Sequence, residues 1–195
     1  MDYLVTMTTH VPDGVTEAAV AAVREREAAH TADLARAGSV LRLWRPPLHP
    51  GEWRTLGLFA ADDDEQLEQI LDGMPLRIWR TDVVTPLGLH PNDPGPGRVA
   101  LDTQRTEFLT TLALDNLPAD DDLAAREARH AKELAAGAYL IRLWTLPGPG
   151  RSLGLWQAAD AEQVAGLIRS LPMSDWLTVD TVPLTAHPSD PRRSG

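Results

Sequence analysis

Hydrophobic and polar positions along the chain trace one order of elements twice. Residues 3–9 alternate, with β-branched side chains, and predict a strand. Pro12-Asp13-Gly14 turns the chain. Residues 16–37 are alanine-rich with helical spacing and run into Gly38, a suitable C-terminal stop. Strands are expected at 40–44 and 55–60, on either side of a proline-rich loop at 46–51. Asp62-Asp63-Asp64-Glu65 resembles a capping box and opens a second helix. Leu67, Ile70 and Leu71 give that helix its apolar stripe, and Met74-Pro75 ends it. A fourth strand is expected at 79–85. The second half predicts a strand at 108–114, a helix at 121–136 and strands at 139–144 and 152–157. A helix at 161–170 and a strand at 176–182 complete it. The Asn-Asp-Pro-Gly-Pro-Gly run at 92–97 reads as a linker, and residues 188–195 as a loose tail.

The two halves also share their letters. Arg26-Glu27-Ala28-Ala29-His30 and Val40-Leu41-Arg42-Leu43-Trp44 are answered by Arg126-Glu127-Ala128-Arg129-His130 and Leu140-Ile141-Arg142-Leu143-Trp144. Further pairs follow: Gly57-Leu58-Phe59 with Gly154-Leu155-Trp156, Met74-Pro75 with Leu171-Pro172, and His90-Pro91 with His187-Pro188. The chain reads as a tandem duplication, with a first repeat at 1–93, a linker at 94–103, a second repeat at 104–190 and a tail at 191–195. Each half has the βαββαβ order of a ferredoxin-like unit. Two helices cover only one face of a four-stranded sheet, so the other face needs a second layer. The expected fold is α+β: two ferredoxin-like (βαββαβ) repeats packed sheet-to-sheet as an α+β barrel. Such pseudo-dimers can assemble further into a homo-oligomer.

Composition narrows the function classes. A net charge of −10 with no basic run argues against nucleic acid or an anionic membrane as partner. The absence of cysteine excludes disulfides, thiol nucleophiles and thiolate metal sites. No signal peptide or membrane span is visible, so a cytoplasmic location is expected. The six histidines lack metal-like spacing, and no metal site is expected. No phosphate loop or nucleophile elbow appears.

The candidate chemistry sits in the first helix of each half. Val20, Val23, Glu27, His30 and Leu34 fall on one stripe, as do Leu123, Glu127, His130 and Leu134. A carboxylate on an apolar stripe has its pKa raised by desolvation, as a proton-transferring Glu requires. His30 and His130 lie one turn on. The same spacing also suits a structural Glu–His pair at a helix–sheet interface, and duplication copies structure and chemistry alike. Strand alternation puts Arg42 on the face of Val40 and Trp44, and Arg142 on that of Leu140 and Trp144. Each arginine could hold a substrate carboxylate or pack its stem on tryptophan. Arg45, opposite Thr145 in the second half, adds a guanidinium to one site only. Trp44, Trp144, Trp79 and Trp176 serve as core or pocket wall. His49, in the longer first-half loop, has no counterpart. His90 and His187 read as structural turn residues.

The ordered set Arg-Glu…His…Leu-Arg-Leu-Trp, Gly-Leu-Phe or Gly-Leu-Trp, Asp, Leu-Pro or Met-Pro, Trp and Pro-Leu…His-Pro resembles the muconolactone delta-isomerase family. The resemblance covers nearly the whole chain, twice over. It implies a cofactor-independent isomerase that shifts a proton and a C=C bond within a small unsaturated lactone or related carbonyl compound. It also implies that Glu27 and Glu127 occupy the position of the family's proposed proton shuttle. There are departures. Thr55 and Ser152 stand where the family commonly has asparagine, and Thr145 replaces the arginine after Leu-Trp. Two alternatives stay open: a tailoring isomerase or cyclase for a bulkier polycyclic substrate, and a non-catalytic ligand-binding barrel.

Overall fold

The protein, seen in a computed structural model that describes residues 1–115 and 121–193, is an α+β fold. In chain order its elements are β1 (Asp2–Thr9), α1 (Glu17–Arg36), β2 (Val40–Arg45), β3 (Arg54–Ala60), α2 (Asp64–Gly73) and β4 (Arg80–Leu89). There follow β5 (Thr106–Leu114), α3 (Asp121–Ala136), β6 (Leu140–Thr145), β7 (Arg151–Ala158), α4 (Ala161–Arg169) and β8 (Leu177–Ala186). Short 3-10 turns at Pro75–Trp79 and Ser174–Trp176 lead into β4 and β8, and another lies at Pro191–Arg193.

The helix starts are set by side chains written in the sequence. Thr16 accepts the Ala19 N–H, and Asp63 accepts the Gln66 N–H at 2.9 Å while Gln66 reaches back to the Asp62 N–H at 2.7 Å. Asp160 and Gln163 repeat that reciprocal pair before α4. The box partner is therefore a glutamine, one residue beyond the expected Glu65. Gly38, at φ +81°, turns the chain out of α1 in the left-handed region that glycine enters at no cost.

The chain divides into two compact units, Met1–Pro86 with Thr185–Gly195, and Leu87–Leu184. In the first, β1 and β2 flank β3, and the last two residues of β8 pair with β2 (Trp44↔Ala186, Arg45↔Thr185). In the second, β8 and β7 flank β5, β6 pairs with β7, and the end of β4 adds Gly88↔Thr145 and Leu89↔Trp144. Strands β4 and β8 thus run beyond the expected ends at residues 85 and 182, through Pro86 and Pro183. A proline keeps its place in a strand where its missing N–H is not needed. The partners that hold the extensions are distant in sequence.

In each unit one sheet face packs on the helices. Tyr3, Val5, Phe59, Leu67 and Leu71 anchor the first core, and Phe108, Leu140, Trp156, Val164 and Ile168 the second. The Tyr3 hydroxyl donates to Asp64 at 2.8 Å, and burial beside that carboxylate pushes the phenol up to about 12.

A bulge corrects the expected strand faces. Pairing jumps from Val40↔Phe59 to Arg42↔Leu58, and likewise from Leu140↔Trp156 to Arg142↔Leu155. The extra residue, Leu41 or Ile141, moves Val40 and Leu140 to the helix face together with Leu43 and Leu143. Arg42, Trp44, Arg142 and Trp144 keep the opposite face.

There each arginine is enclosed. The Arg42 guanidinium lies 4.8 Å from the Trp44 ring centroid, and its Nε and Nη2 donate to Asp190 at 3.1 Å each. Asp190 also accepts the Leu43 N–H at 2.9 Å. Arg142, Trp144, Asp93 and the Leu143 N–H repeat the arrangement, at 4.6, 3.1 and 2.8 Å. The segment after Pro188, expected to be loose, is tied down by Asp190, which is 1% exposed. Ser194 and Gly195, the end of the expected tail, lie outside the described residues.

Asp190→Ala should cost ~3–5 kcal/mol in denaturant unfolding, because it strands a buried guanidinium. A loss under ~1 kcal/mol would show that the pair does not hold the segment.

Candidate active sites in the two units

Each unit encloses a cavity between its helix layer and its sheet, and each cavity is lined by one glutamate from the long helix. The cavity of the second unit has a volume of about 510 Å³. Leu112, Leu143, Trp156, Leu171, Met173 and Leu177 contribute apolar wall, and the turn His90-Pro91-Asn92 lies along one side. The first has a volume of about 210 Å³, with His187-Pro188-Ser189 at the corresponding place. Both turns follow a strand end that pairs with β6 or β2, and both are pinned by the arginine–aspartate pair.

The two glutamates are held differently. Glu127 Oε2 accepts the Met173 N–H at 3.0 Å, and Oε1 has no hydrogen-bond partner among the described residues. Burial raises the Glu127 pKa, against the opposing pull of the Met173 N–H and of His130. Glu27 has both oxygens engaged: Oε2 by the Leu76 N–H at 2.8 Å and Oε1 by Arg80 Nη1 at 3.2 Å. Arg80, itself buried, also meets Asp82 at 2.7 and 2.9 Å. The 2.7 Å contact, Nε to Oδ1, is an ion-pair approach without hydrogen-bond alignment.

The difference has a sequence origin. Leu177 stands where Arg80 stands in the first half, and Val179 where Asp82 does. Two more arginines line the first cavity, Arg24 and Arg45, where the second has Ala124 and Thr145. Three positively charged positions in one unit are thus alanine, threonine and leucine in the other.

The His90 ring lines the second cavity, with Nδ1 accepting the Asn92 N–H at 3.1 Å. That bond assigns the ring proton to Nε2. Burial holds the His90 pKa below its ordinary value, with Asp93 acting in the opposite sense, so the ring is a neutral donor. Ser152, Thr145 and Arg151 add polar groups to the same wall.

The sequence matches the profile of the muconolactone delta-isomerase family over residues 1–93 and 113–190. The chain belongs to the muconolactone delta-isomerase family. Muconolactone Delta-isomerase 1 of Acinetobacter lwoffii is 29% identical over 92 residues, which are 47% of this chain and 93% of that protein. The Muconolactone Delta-isomerase of Rhodococcus opacus is 23% identical over 70 residues, 36% of this chain and 75% of its own. Among solved structures, a variant of chlorite dismutase from Candidatus Nitrospira defluvii aligns with a TM-score of 0.65 at 13% identity, over 96% of this chain and 92% of that one. At that identity the likeness shows a common fold alone.

Of the residues the sequence singled out in this family member, Glu27, Glu127 and Arg45 line cavities. Arg42, Arg142, Trp44 and Trp144 do not: they lie on the sheet face away from the helices, where each arginine is matched to its aspartate and stacked on its tryptophan. His30 and His130 sit beside the buried stripe. That stripe passes from Glu27 to Thr31 and from Glu127 to Ala131, four residues on rather than three. His130 is turned to Glu133 at 2.9 Å and Ser170 at 2.8 Å. His30 lies near Gly73 at the end of α2. His49 is exposed in its loop, where its N–H donates to Glu52. Trp79 and Trp176 line neither cavity; their carbonyls accept the His10 and Asp115 N–H groups.

Sequence reasoning passed over Arg80 and Arg24, noted Trp53 only as part of the longer first-half loop, and assigned His90 and His187 to structure only. The unlike pair Arg80 and Leu177, at matched positions of otherwise similar halves, was the available signal. Among the described residues no group of three His, Asp or Glu is placed to hold a metal ion. No described helix is long and apolar enough to cross a membrane.

The two glutamates should respond oppositely to neutralisation. At acid pH Glu127 is protonated in folded and unfolded chains alike and costs nothing. As pH rises from the ordinary carboxylate range, ~4.3, the unfolded chain releases this proton first, and the folded form loses ground. Glu127→Gln should therefore raise the unfolding midpoint at pH 7 and flatten its pH dependence. Glu27→Gln should lower stability by ~1–3 kcal/mol, since Arg80 loses a charged partner. Equal effects of the two variants would contradict the asymmetry.

Proposed function

We propose that the protein is a cofactor-independent isomerase of a small unsaturated lactone or related carbonyl compound, and that Glu127 is its proton shuttle. The observation that carries this reading is the state of Glu127. One oxygen is fixed by a backbone N–H and the other has no hydrogen-bond partner among the described residues, on the wall of a mainly apolar cavity of about 510 Å³. Volume and lining are those of a small-molecule site.

In the proposed reaction the ionised Glu127 removes a proton from a carbon activated by the lactone carbonyl. The electron pair delocalises through the C=C bond onto the carbonyl oxygen as a dienolate. The carboxyl then returns the proton at the conjugated position, so the C=C bond moves and no atom is gained or lost. Desolvation makes Glu127 a stronger base than an exposed carboxylate, and its anchored Oε2 fixes the direction of approach. The neutral His90 Nε2–H is a donor on the same wall, suited to the carbonyl oxygen as charge develops there. Arg151, at the rim, suits a carboxylate carried by the substrate. Acid–base chemistry of this kind is consistent with the family and needs only residues of the second half.

A bulkier, fused-ring substrate is the second reading. The volume favours it, since about 510 Å³ is over twice the first unit's cavity, and the wall is mostly aliphatic and aromatic. The proton shuttle would be the same.

The test is turnover and solvent-deuterium incorporation, followed by NMR, on a panel of unsaturated lactones graded in size. Glu127→Gln should reduce both by ~10²-fold or more at unchanged KM, and Glu27→Gln by less than ~5-fold. The kcat/KM profile should show an acid limb above the ordinary carboxylate range, because the base must be ionised and burial raises its pKa. Full activity in Glu127→Gln would remove the assignment.

A further inference from the structure

We infer that the cavity of the first unit is a second binding site, one that takes a small single-ring carboxylate and does not transform it. Its polar lining differs in kind from that of the site at Glu127. Arg24, Arg45 and Arg80 face it against the single carboxylate Glu27, whereas the other cavity has Arg151 against Glu127.

The three guanidiniums are not equivalent. Arg80 is 8% exposed and already balanced by Glu27 and Asp82. That arrangement withdraws Glu27 from chemistry, since both its oxygens are occupied. Arg45 is half-buried at the end of β2, and its guanidinium has no hydrogen bond or ion pair among the described residues. Arg24 has no ion pair there either; it stacks on the Trp53 ring at 5.2 Å. Two uncompensated guanidiniums on one cavity wall leave a local positive charge in a chain of net charge −10. A half-buried arginine without an acceptor pays desolvation that a bound anion would return, and its fork matches a carboxylate.

The remainder of the wall sets the body of the ligand. Met7, Leu43, Leu76 and the Trp53 ring are apolar, and the volume of about 210 Å³ admits one ring rather than a fused system. Trp53 comes from the first-half loop that is longer than its counterpart, and Gly150 holds its place in the second unit. The features that make the site anionophilic are thus confined to one half. The chemistry is shared by unsaturated lactone acids and aromatic acids, so the ligand can be a substrate-like acid held as an effector or an unrelated ring acid. The assignment does not depend on the isomerase reading, because it is read as binding alone.

The experiment is calorimetric titration of the full chain with benzoate, with benzamide and inorganic phosphate as controls. Wild-type protein and Glu127→Gln should bind benzoate alike at one site, and neither control should bind more than a tenth as tightly. Arg45→Thr and Arg24→Ala copy the residues at the matched positions of the other unit and are compatible with the fold. Each should weaken benzoate by ~10-fold or more, confirmed on variants whose unfolding midpoint matches wild type. Chemical shifts of the Trp53 indole N–H should move with benzoate and stay fixed in the double variant. Unchanged affinity in both arginine variants would overturn the proposal. So would benzamide or phosphate binding as tightly as benzoate, or benzoate binding lost in Glu127→Gln, which would put the anion in the other cavity. Failure of the isomerase reading would leave all these titrations unaffected.

Discussion

Each unit depends on a guanidinium taken out of water. Arg42 and Arg142 are buried, and a buried unpaired guanidinium is not tolerable; each is therefore matched by a carboxylate and a tryptophan face. Asp190 and Asp93 supply the carboxylates from turns that follow β8 and β4. The same aspartates take the N–H groups of Leu43 and Leu143. Because the bonds reach backbone as well as side chain, the position of each turn is fixed along its strand. The turn in question also carries His187 or His90 to the wall of a cavity. The ion pair therefore sets the shape of the site while its atoms stay on the opposite sheet face.

Within that common frame the two halves have taken different electrostatic courses. In the first, the glutamate on the long helix is drawn into a chain of charges that runs from Glu27 through Arg80 to Asp82 and on to Arg77, which also meets Glu68 and Asp72. In the second, the positions of Arg80 and Asp82 are aliphatic, and among the described residues the Glu127 carboxylate accepts one hydrogen bond, from the Met173 N–H. The same residue type on the same helix is thereby a structural ion-pair partner in one unit and a desolvated carboxylate in the other. One substitution, leucine for arginine at the start of the strand that closes each repeat (Leu177 against Arg80), separates the two states.

Cavity walls carry the difference further. Trp156 reaches across Gly154, its indole N–H donating to Thr110 at 2.8 Å, and its ring lines the larger cavity. A side chain at Gly154 would collide with both Trp156 and Thr110. Phe59 over Gly57 is the corresponding pair in the first unit, without a hydrogen-bonding edge. In that unit Trp53 and Arg24 occupy space that Gly150 and Ala124 leave open in the second, and the smaller volume follows.

The sequence by itself determined the element order, the acidic start of α2 and the place of both glutamates on their helices, because periodicity, a capping run and the internal likeness are local or self-referential signals. It also showed that Arg45 had lost its counterpart. It did not determine that Val40 and Leu140 leave the face of Arg42 and Arg142, since one bulge residue at Leu41 or Ile141 reverses a strict alternation and leaves no mark in the hydrophobic pattern. Nor did it show that residues near 90 and 187 complete the cavities: Asp190 and Arg42 are far apart in the chain, and nothing local announces their pairing. The unequal fate of Glu27 and Glu127 was likewise decided by tertiary structure, because it rests on Arg80, a residue of another element, arriving within 3.2 Å of one carboxylate while leucine stands beside the other.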